Sequence, residues 1–180
     1  MHRLIAFGVA CGASLNANTV AHILQACPTL ASLDLVGLRE YDAFGENAGM
    51  FALLSPQLTQ LHKFGASHCI PLRNIDCGCI AIHCVNITSL DISGYNNSIT
   101  DVGIITIALN LTQIEEISLP FSMAITDRSI AALAEKCANL HILSVSRCTN
   151  ITNETLHCLI EHSKQLREFH CFHCPRVSQA

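Results

Sequence analysis

LHILSVSRCTNITN, residues 140–153, is the stretch that decides the fold of this chain. Its apolar residues Leu140, Leu143 and Val145 fall on one side of a short strand. The closing Ile-Thr-Asn then leads into apolar residues at spacings of three and four, which is typical of a helix with one buried stripe. The stretch therefore predicts a unit of strand, turn and helix that cannot cover its own apolar side.

The same phrase, L-x-x-L-x-L with Ile, Phe or Val allowed, recurs along the chain at steps of 26 to 29 residues. This period predicts an α/β leucine-rich-repeat solenoid, a horseshoe with a parallel β-sheet on the concave side and helices on the convex side. We expect one array of about seven repeats over residues 1–180. The first apolar residue of each copy, its anchor, is Leu4, Leu30, Leu58, Ile87, Ile114, Leu140 or Leu166.

The regularity of the copies differs along the array. In the fourth, fifth and sixth copies a Thr stands before the apolar run of the helix, where its side-chain oxygen can accept the unpaired amide protons of a first helical turn. The second and third copies are the least regular. In the third, Lys63 falls where the phrase needs an inward apolar residue, unless Phe64 takes its place through a local irregularity. Neither end carries a polar capping repeat, so we expect the chain to be part of a longer protein.

Composition excludes two classes of partner. The chain has a net charge of -4 and a sequence pI of about 6.2, and its basic residues are scattered, which disfavours nucleic-acid binding. No apolar run approaches the roughly 18 to 20 residues that cross a bilayer. Half of the residues are apolar and only 13% are charged, as expected when much of every repeat points inward.

The 11 cysteines follow the repeat rather than a disulfide pattern. Their odd count and lack of pairing predict a reducing compartment, either cytoplasm or nucleus. Six of them occupy repeat positions, where a thiol acts as a small buried hydrophobe. Three lie three residues before an anchor (Cys27, Cys84, Cys137), two lie eight residues after one (Cys148, Cys174), and Cys171 takes the third apolar place of its strand.

The first 11 residues admit a second interpretation. Their sequence, MHRLIAFGVAC, resembles a short secretory signal, which would make the chain a secreted or surface repeat protein. The repeat explains the same residues, because Leu4 stands 26 residues before Leu30. A cleaved signal would have no reason to match that spacing, so the repeat interpretation is favoured.

Candidate chemistry is weaker than the repeat pattern. Cys171 and Cys174 have the C-x-x-C spacing that can hold zinc or exchange thiols, but no second such pair completes four ligands. Glu115 and Glu116 are adjacent in a strand, so they point in different directions rather than forming an acid/base pair. We therefore predict no enzyme, no metal and no cofactor, and keep a zinc-binding or redox protein as the alternative.

The outward strand positions predict a binding surface for a protein on the concave face, with acidic groups in the middle and basic groups in the last two repeats. Two aromatic residues just beyond their strands could anchor a peptide or protein. The candidate partner-binding residues are Asp34, Asp91, Tyr95, Glu115, Glu116, Ser118, Phe121, His141, Ser144, Arg167, His170 and Phe172.

Three short segments also resemble a known class of repeat. CTNITN at 148–153, the Ile-Thr-Asp turns at 99–101 and 125–127, and CPTL at 27–30 are similar to the cysteine-containing leucine-rich repeats of F-box proteins and antagonist-of-mitotic-exit proteins. The resemblance implies the substrate-recognition arm of an SCF-type ubiquitin ligase, in which an F-box domain docks the adaptor. No F-box sequence is visible in this chain, so an adaptor and cullin are expected partners only if that domain lies outside it.

Overall fold

The computed structural model describes residues 4–9, 17–36, 58–67, 72–94 and 98–178. Within them, one sheet of parallel strands follows the order of the chain from first to last. The strands are β1 (Ala6–Val9), β2 (Ser32–Leu35), β3 (Lys63–Gly65), β4 (Ser89–Asp91), β5 (Glu116–Ser118), β6 (Ile142–Ser144) and β7 (Glu168–His170).

Helices connect the strands on the other side of the array. The described helices are α1 (Ala17–Ala26), α2 (Asn74–His83), α3 (Asp101–Asn110), α4 (Asp127–Lys136) and α5 (Asn153–His162). Adjacent strands lie about 4.8 Å apart whereas packed helices need about 8 to 10 Å, so a stack of such units curves with its sheet on the inner side. The predicted α/β leucine-rich-repeat solenoid is therefore confirmed.

The core is a continuous column between the sheet and the helices. The central residue of each strand pairs in register with its neighbour, so that Leu90, Ile117 and Leu143 stand side by side. All three are at most 1% exposed. Because each repeat buries its apolar side only against its neighbours, the stability of the stack depends on the interfaces between successive repeats.

The predicted anchor of the third repeat was wrong. Phe64 pairs with Leu33 on one side and Leu90 on the other, and it is 2% exposed. The anchor is therefore Leu61, three residues before Phe64, rather than Leu58. Lys63 is an exposed residue of the strand and is not directed into the core.

Leu58 is buried for a different reason. It stands three residues before its anchor, the position that Cys27 and Cys84 occupy in their repeats, and it is 3% exposed. With Leu61 as anchor, the step from Leu30 is 31 residues and the step to the next anchor is 26. The irregularity of the third copy is thus a longer connection after β2.

The predicted role of Thr at the helix starts is confirmed. Thr100, Thr126 and Thr152 are the N-caps of α3, α4 and α5, with extended backbones. Each hydroxyl oxygen accepts a hydrogen bond from the N–H two residues later, at 3.2 to 3.3 Å. These bonds satisfy one of the amide groups that a helix start leaves without a partner.

In three successive helices, α2 to α4, the first residue also holds the start of the next helix in the stack. The Asp127 carboxylate accepts hydrogen bonds from the Thr152 N–H (2.8 Å), the Thr152 hydroxyl (2.8 Å) and the Thr155 hydroxyl (2.6 Å). One repeat earlier, Asp101 accepts from the N–H and hydroxyl of Thr126 and from the Ser129 hydroxyl. These carboxylates therefore link neighbouring repeats.

Asparagine makes the same link where the donors differ. Asn74 Oδ1 accepts from the N–H groups of Thr100 (2.9 Å) and Gly103 (3.1 Å), while its Nδ2 donates to the Thr100 hydroxyl (2.9 Å). Gly103 stands where the next repeat has Ser129, and a Cβ there would lie 2.6 Å from Asn74 Oδ1. The missing side chain lets the amide approach closely.

We expect stability to fall at low pH through the two bridging carboxylates. Burial alone would raise the pKa of Asp101 and Asp127, but the hydrogen bonds they accept outweigh it and hold both pKa values below the ordinary range. A lowered folded-state pKa contributes stability above the unfolded value, near pH 4, that is lost as pH falls through the folded value. Urea unfolding at pH 7 and pH 3 should show a larger loss for the wild type than for Asp127→Asn. Equal losses would contradict this role.

Leu143→Ala should destabilise the protein by about 2 to 5 kcal/mol, because it leaves a cavity at a site that is 0% exposed. The C-terminal repeats should melt first, since each repeat contacts only its neighbours. Thermal unfolding followed by circular dichroism measures the change. The control is Ser144→Ala at the next, outward position, which should stay within about 0.5 kcal/mol of wild type. An unchanged melting curve for Leu143→Ala would refute the register.

Candidate functional site

The concave face of the sheet is made by the two residues that flank the buried centre of each strand. Because successive side chains of a strand point to opposite faces, these flanking residues point away from the helices. In β2 to β7 the concave face comprises Ser32, Asp34, Lys63, Gly65, Ser89, Asp91, Glu116, Ser118, Ile142, Ser144, Glu168 and His170.

Polar side chains of this face interact across and along the strands. The Ser89 hydroxyl donates a hydrogen bond to Glu116 Oε2 in the next strand at 3.0 Å. His170 Nε2 lies 3.3 Å from Glu168 Oε2 in the same strand, and both side chains are about half exposed. Asp91 Oδ1 accepts from the Ser93 N–H at 3.0 Å. Because these groups remain accessible, they can exchange such contacts for contacts with a partner.

The electrostatic character of the concave face is mainly acidic. Its carboxylates belong to Asp34, Asp91, Glu116 and Glu168, and Lys63 is its one permanently charged cation within β2 to β7. The Asp34 carboxylate lies over Gly65, where a Cβ would be 2.5 Å from its Oδ1. A small residue at that position thus leaves room for the carboxylate.

Several residues predicted to bind a partner lie on the concave face or at its edges. The concave face itself holds Asp34, Asp91, Glu116, Ser118, Ser144 and His170. Glu115, His141 and Arg167 immediately precede their strands and stack by backbone bonds: the His141 N–H donates to the Glu115 carbonyl (2.7 Å) and the Arg167 N–H to the His141 carbonyl (2.8 Å). They form a row along one edge of the sheet.

The aromatic candidates lie at the opposite edge, in the loops that follow the strands. Phe172 is 68% exposed. Phe121 is half-buried, and the Arg147 guanidinium lies 5.2 Å from the centroid of its ring, within reach of a cation–π interaction. Tyr95 lies outside the described residues. The structure therefore places the candidates in three positions: on the concave face, just before the strands, and in the loops just after the strands.

Sequence reasoning missed three side chains of this surface. Lys63 belongs to the concave face. Inward and outward side chains alternate along β3, so an anchor at Leu61 would have predicted Lys63 as an outward residue. Ile142 is an apolar residue at an outward position, half-buried beside Glu116. Arg147 follows β6 in a left-handed backbone conformation, which its own residue type does not predict.

Three of the buried cysteines, Cys137, Cys148 and Cys174, are thiols that donate hydrogen bonds to backbone carbonyls. Cys148 Sγ donates to the Leu119 carbonyl at 3.3 Å and Cys174 Sγ to the Val145 carbonyl at 3.2 Å, each one repeat earlier. Burial raises the pKa of Cys148 to about 12 and that of Cys137 to about 11. These groups are therefore protonated near neutral pH, unlike the thiolates that attack substrates or bind metals.

The C-x-x-C pair is divided between two environments. Cys174 is buried and engaged with the preceding repeat, and Cys171 is half-buried. Across the described ranges, no group of three or more His, Cys, Asp or Glu side chains is arranged to hold a metal ion. In the same part of the chain, no helix combines the length and apolar character needed to cross a bilayer.

Comparison with known proteins supports the fold. No family model matches the sequence. The structure is similar to a chain in the crystal structure of the Rad7 and Elc1 complex in yeast, with a TM-score of 0.64 and 16% identity over 98% of this chain and 51% of that chain. It is also similar to an internalin (inlF) from Listeria monocytogenes, with a TM-score of 0.59 and 17% identity over 96% and 56% of the two chains. The chain thus spans about half the length of each.

Replacing Glu115 and Glu116 together with Lys should leave folding nearly intact, because both side chains are exposed. The loss of the Ser89–Glu116 bond should cost at most about 1 kcal/mol, as expected for an exposed hydrogen bond. The melting temperature measured by circular dichroism should shift by only a few degrees. A variant that is unfolded at room temperature would refute the outward placement of these residues.

Proposed function

We propose that this chain is a non-enzymatic protein-recognition module, and more narrowly the substrate-receptor arm of an SCF-type ubiquitin ligase. The observation that supports it most is the concave face, where chemically different side chains occupy equivalent positions of a rigid sheet. The strand centres are apolar throughout (Leu33, Phe64, Leu90, Ile117, Leu143 and Phe169), whereas the concave face mixes acidic, basic, hydroxyl and apolar side chains. Variation of this kind fits recognition rather than stability.

The geometry of the concave face suits a protein partner. The rows of side chains lie about 4.8 Å apart, a distance comparable to the size of the side chains of a protein partner. The buried core beneath the sheet fixes the positions of these rows. Ile142 provides an apolar centre, with Glu116 and Glu168 at the equivalent positions of the neighbouring strands. An apolar centre with a polar surround is the usual arrangement of a binding hot spot. The carboxylates favour a partner with basic side chains.

Three observations support the ligase assignment. The CTNITN segment and the Ile-Thr-Asp turns resemble the repeats of F-box proteins. The fold is shared with a chain from a complex of Rad7 and Elc1, of which this chain spans about half. All nine cysteines of the described residues are free thiols, in keeping with a reducing cytoplasm or nucleus.

Affinity capture of the full-length product from cells tests both levels of the proposal. Glu116→Lys, on the concave face, should lose proteins that the wild type retains, because it reverses a charge at the binding surface. The matched control is Glu135→Lys, the same change on an exposed residue of α4. Adaptor and cullin subunits should be captured with all three proteins, since a separate domain would bind them.

Two outcomes would overturn the proposal at different levels. If the wild type, the concave variant and the convex control capture the same proteins in the same amounts, the concave face is not the recognition surface. If no adaptor or cullin accompanies any of them, the ligase assignment is wrong and only protein recognition remains.

A further inference from the structure

The loops that follow β5, β6 and β7 form a regular edge. The Phe121 N–H donates to the Ser146 carbonyl (3.0 Å), and the Arg147 N–H donates to the Phe172 carbonyl (2.8 Å). These bonds continue the strand ladder beyond the strands. Equivalent residues therefore stand side by side, at about the strand spacing of 4.8 Å. We call residues 120–121, 146–147 and 172–173 the loop edge.

The second residue of each pair has a left-handed backbone. The φ angles are 64° at Phe121, 63° at Arg147 and 58° at His173, while the preceding repeat has Gly94 at the equivalent position with a φ of 155°. Bulky residues rarely adopt positive φ, because Cβ then crowds the backbone, whereas glycine adopts it freely.

Core packing does not require these side chains. Arg147 and His173 are exposed, and Phe121 is only half-buried. Strained residues whose side chains add nothing to the core are commonly found at binding sites. The strain here is repeated at the same position in three successive repeats, and each time it projects a large cationic or aromatic side chain.

Charge is segregated at this edge. Residues 119–125, 145–151 and 171–177 contain Arg147, His173 and Arg176 and no Asp or Glu, although the chain as a whole has a net charge of -4. Among the described residues, the ion pairs involve neither of these two arginines. The Arg147 guanidinium instead rests over the Phe121 ring, which leaves its N–H groups available to an anion.

An exposed aromatic residue adjoins these cations. Phe172 is 68% exposed, and its ring centroid lies 6.0 Å from that of His170 on the concave face. Such an exposed ring next to an arginine is a typical anchor for an apolar side chain of a protein partner. The edge therefore offers an anion site and an apolar site side by side.

We propose that the loop edge binds an acidic peptide segment of a protein partner, with a carboxylate on Arg147 and His173 and a large apolar side chain against Phe172. The inference rests on the proposed recognition function and extends it to a second surface. A nucleic acid fits less well, because Glu168 on the adjoining concave face would repel a polyphosphate, whereas a single carboxylate can avoid it. A carboxylate also matches the paired donors of an arginine.

Fluorescence anisotropy with a labelled peptide, in which glutamates flank one phenylalanine, tests this directly. Arg147→Gly removes the guanidinium and also relieves the left-handed backbone, so its melting temperature should be equal to or higher than that of the wild type. Its affinity for the peptide should nevertheless fall roughly tenfold or more, as expected for a lost charge-assisted bond. The control is Arg128→Ala, which removes an exposed guanidinium from the first turn of α4 on the convex side and should bind as the wild type does.

Control ligands separate the two halves of the site. A peptide with Gln in place of every Glu, and one with Ala in place of Phe, should both bind more weakly. The inference is overturned if Arg147→Gly keeps the wild-type affinity, if the Gln peptide binds as well as the Glu peptide, or if a single-stranded oligonucleotide binds more tightly than the acidic peptide. Glu116→Lys should leave peptide binding intact or strengthen it, so failure here is distinguishable from failure of the concave face in the capture experiment.

Discussion

The side chain at the first residue of one helix holds the start of the next helix, and this link sets the register of the stack. Asp127 satisfies the N–H and hydroxyl of Thr152 together with the hydroxyl of Thr155. Burial of the apolar column supplies most of the stabilising free energy, but apolar contacts alone are not directional. A shift of one residue in the register would leave a carboxylate and several donors without hydrogen-bond partners. Apolar contacts in the shifted register would not offset the free energy lost with those bonds. Because the register is held, equivalent residues align in rows on the concave face and along the loop edge.

Much of the fold could be predicted because the apolar phrase repeats, and the one error has a geometric cause. Leu58, Leu61 and Phe64 are each three residues apart and all are buried, so the phrase L-x-x-L fits them in two ways. The last apolar place decides between the two registers, and Ala66, buried at 1%, satisfies it where Lys63 does not. The short side chain of Ala66 gives a weak apolar signal. The longer connection after β2 also makes the step from Leu30 to Leu61 longer than the other steps, so the correct anchor did not fit the expected period. The roles of the Thr residues at helix starts were predictable because a cap acts within its own helix.

The surface was less predictable than the core. Alternation along a strand places residues such as Asp91 and Ser118 correctly, since it depends only on the backbone. It does not reveal that Asp101 reaches into the next repeat, because that contact joins residues 25 to 28 positions apart. Nor does it reveal the left-handed conformation of Arg147, since arginine carries no preference for it and Gly94 is the one residue at that position that hints at it. The features with most bearing on function thus arise from the stacking of repeats.

A double-mutant cycle between Asp127 and Thr155 measures the link between neighbouring repeats most directly. Asp127→Ala, Thr155→Val and the double variant would be compared with the wild type by urea unfolding at pH 7. The hydrogen bond between the two side chains predicts a coupling free energy of about 1 kcal/mol or more, as expected for a partly buried bond to a charged group. A coupling below about 0.3 kcal/mol, with the two single losses simply adding, would show that the bridging carboxylates do not hold the stack in register.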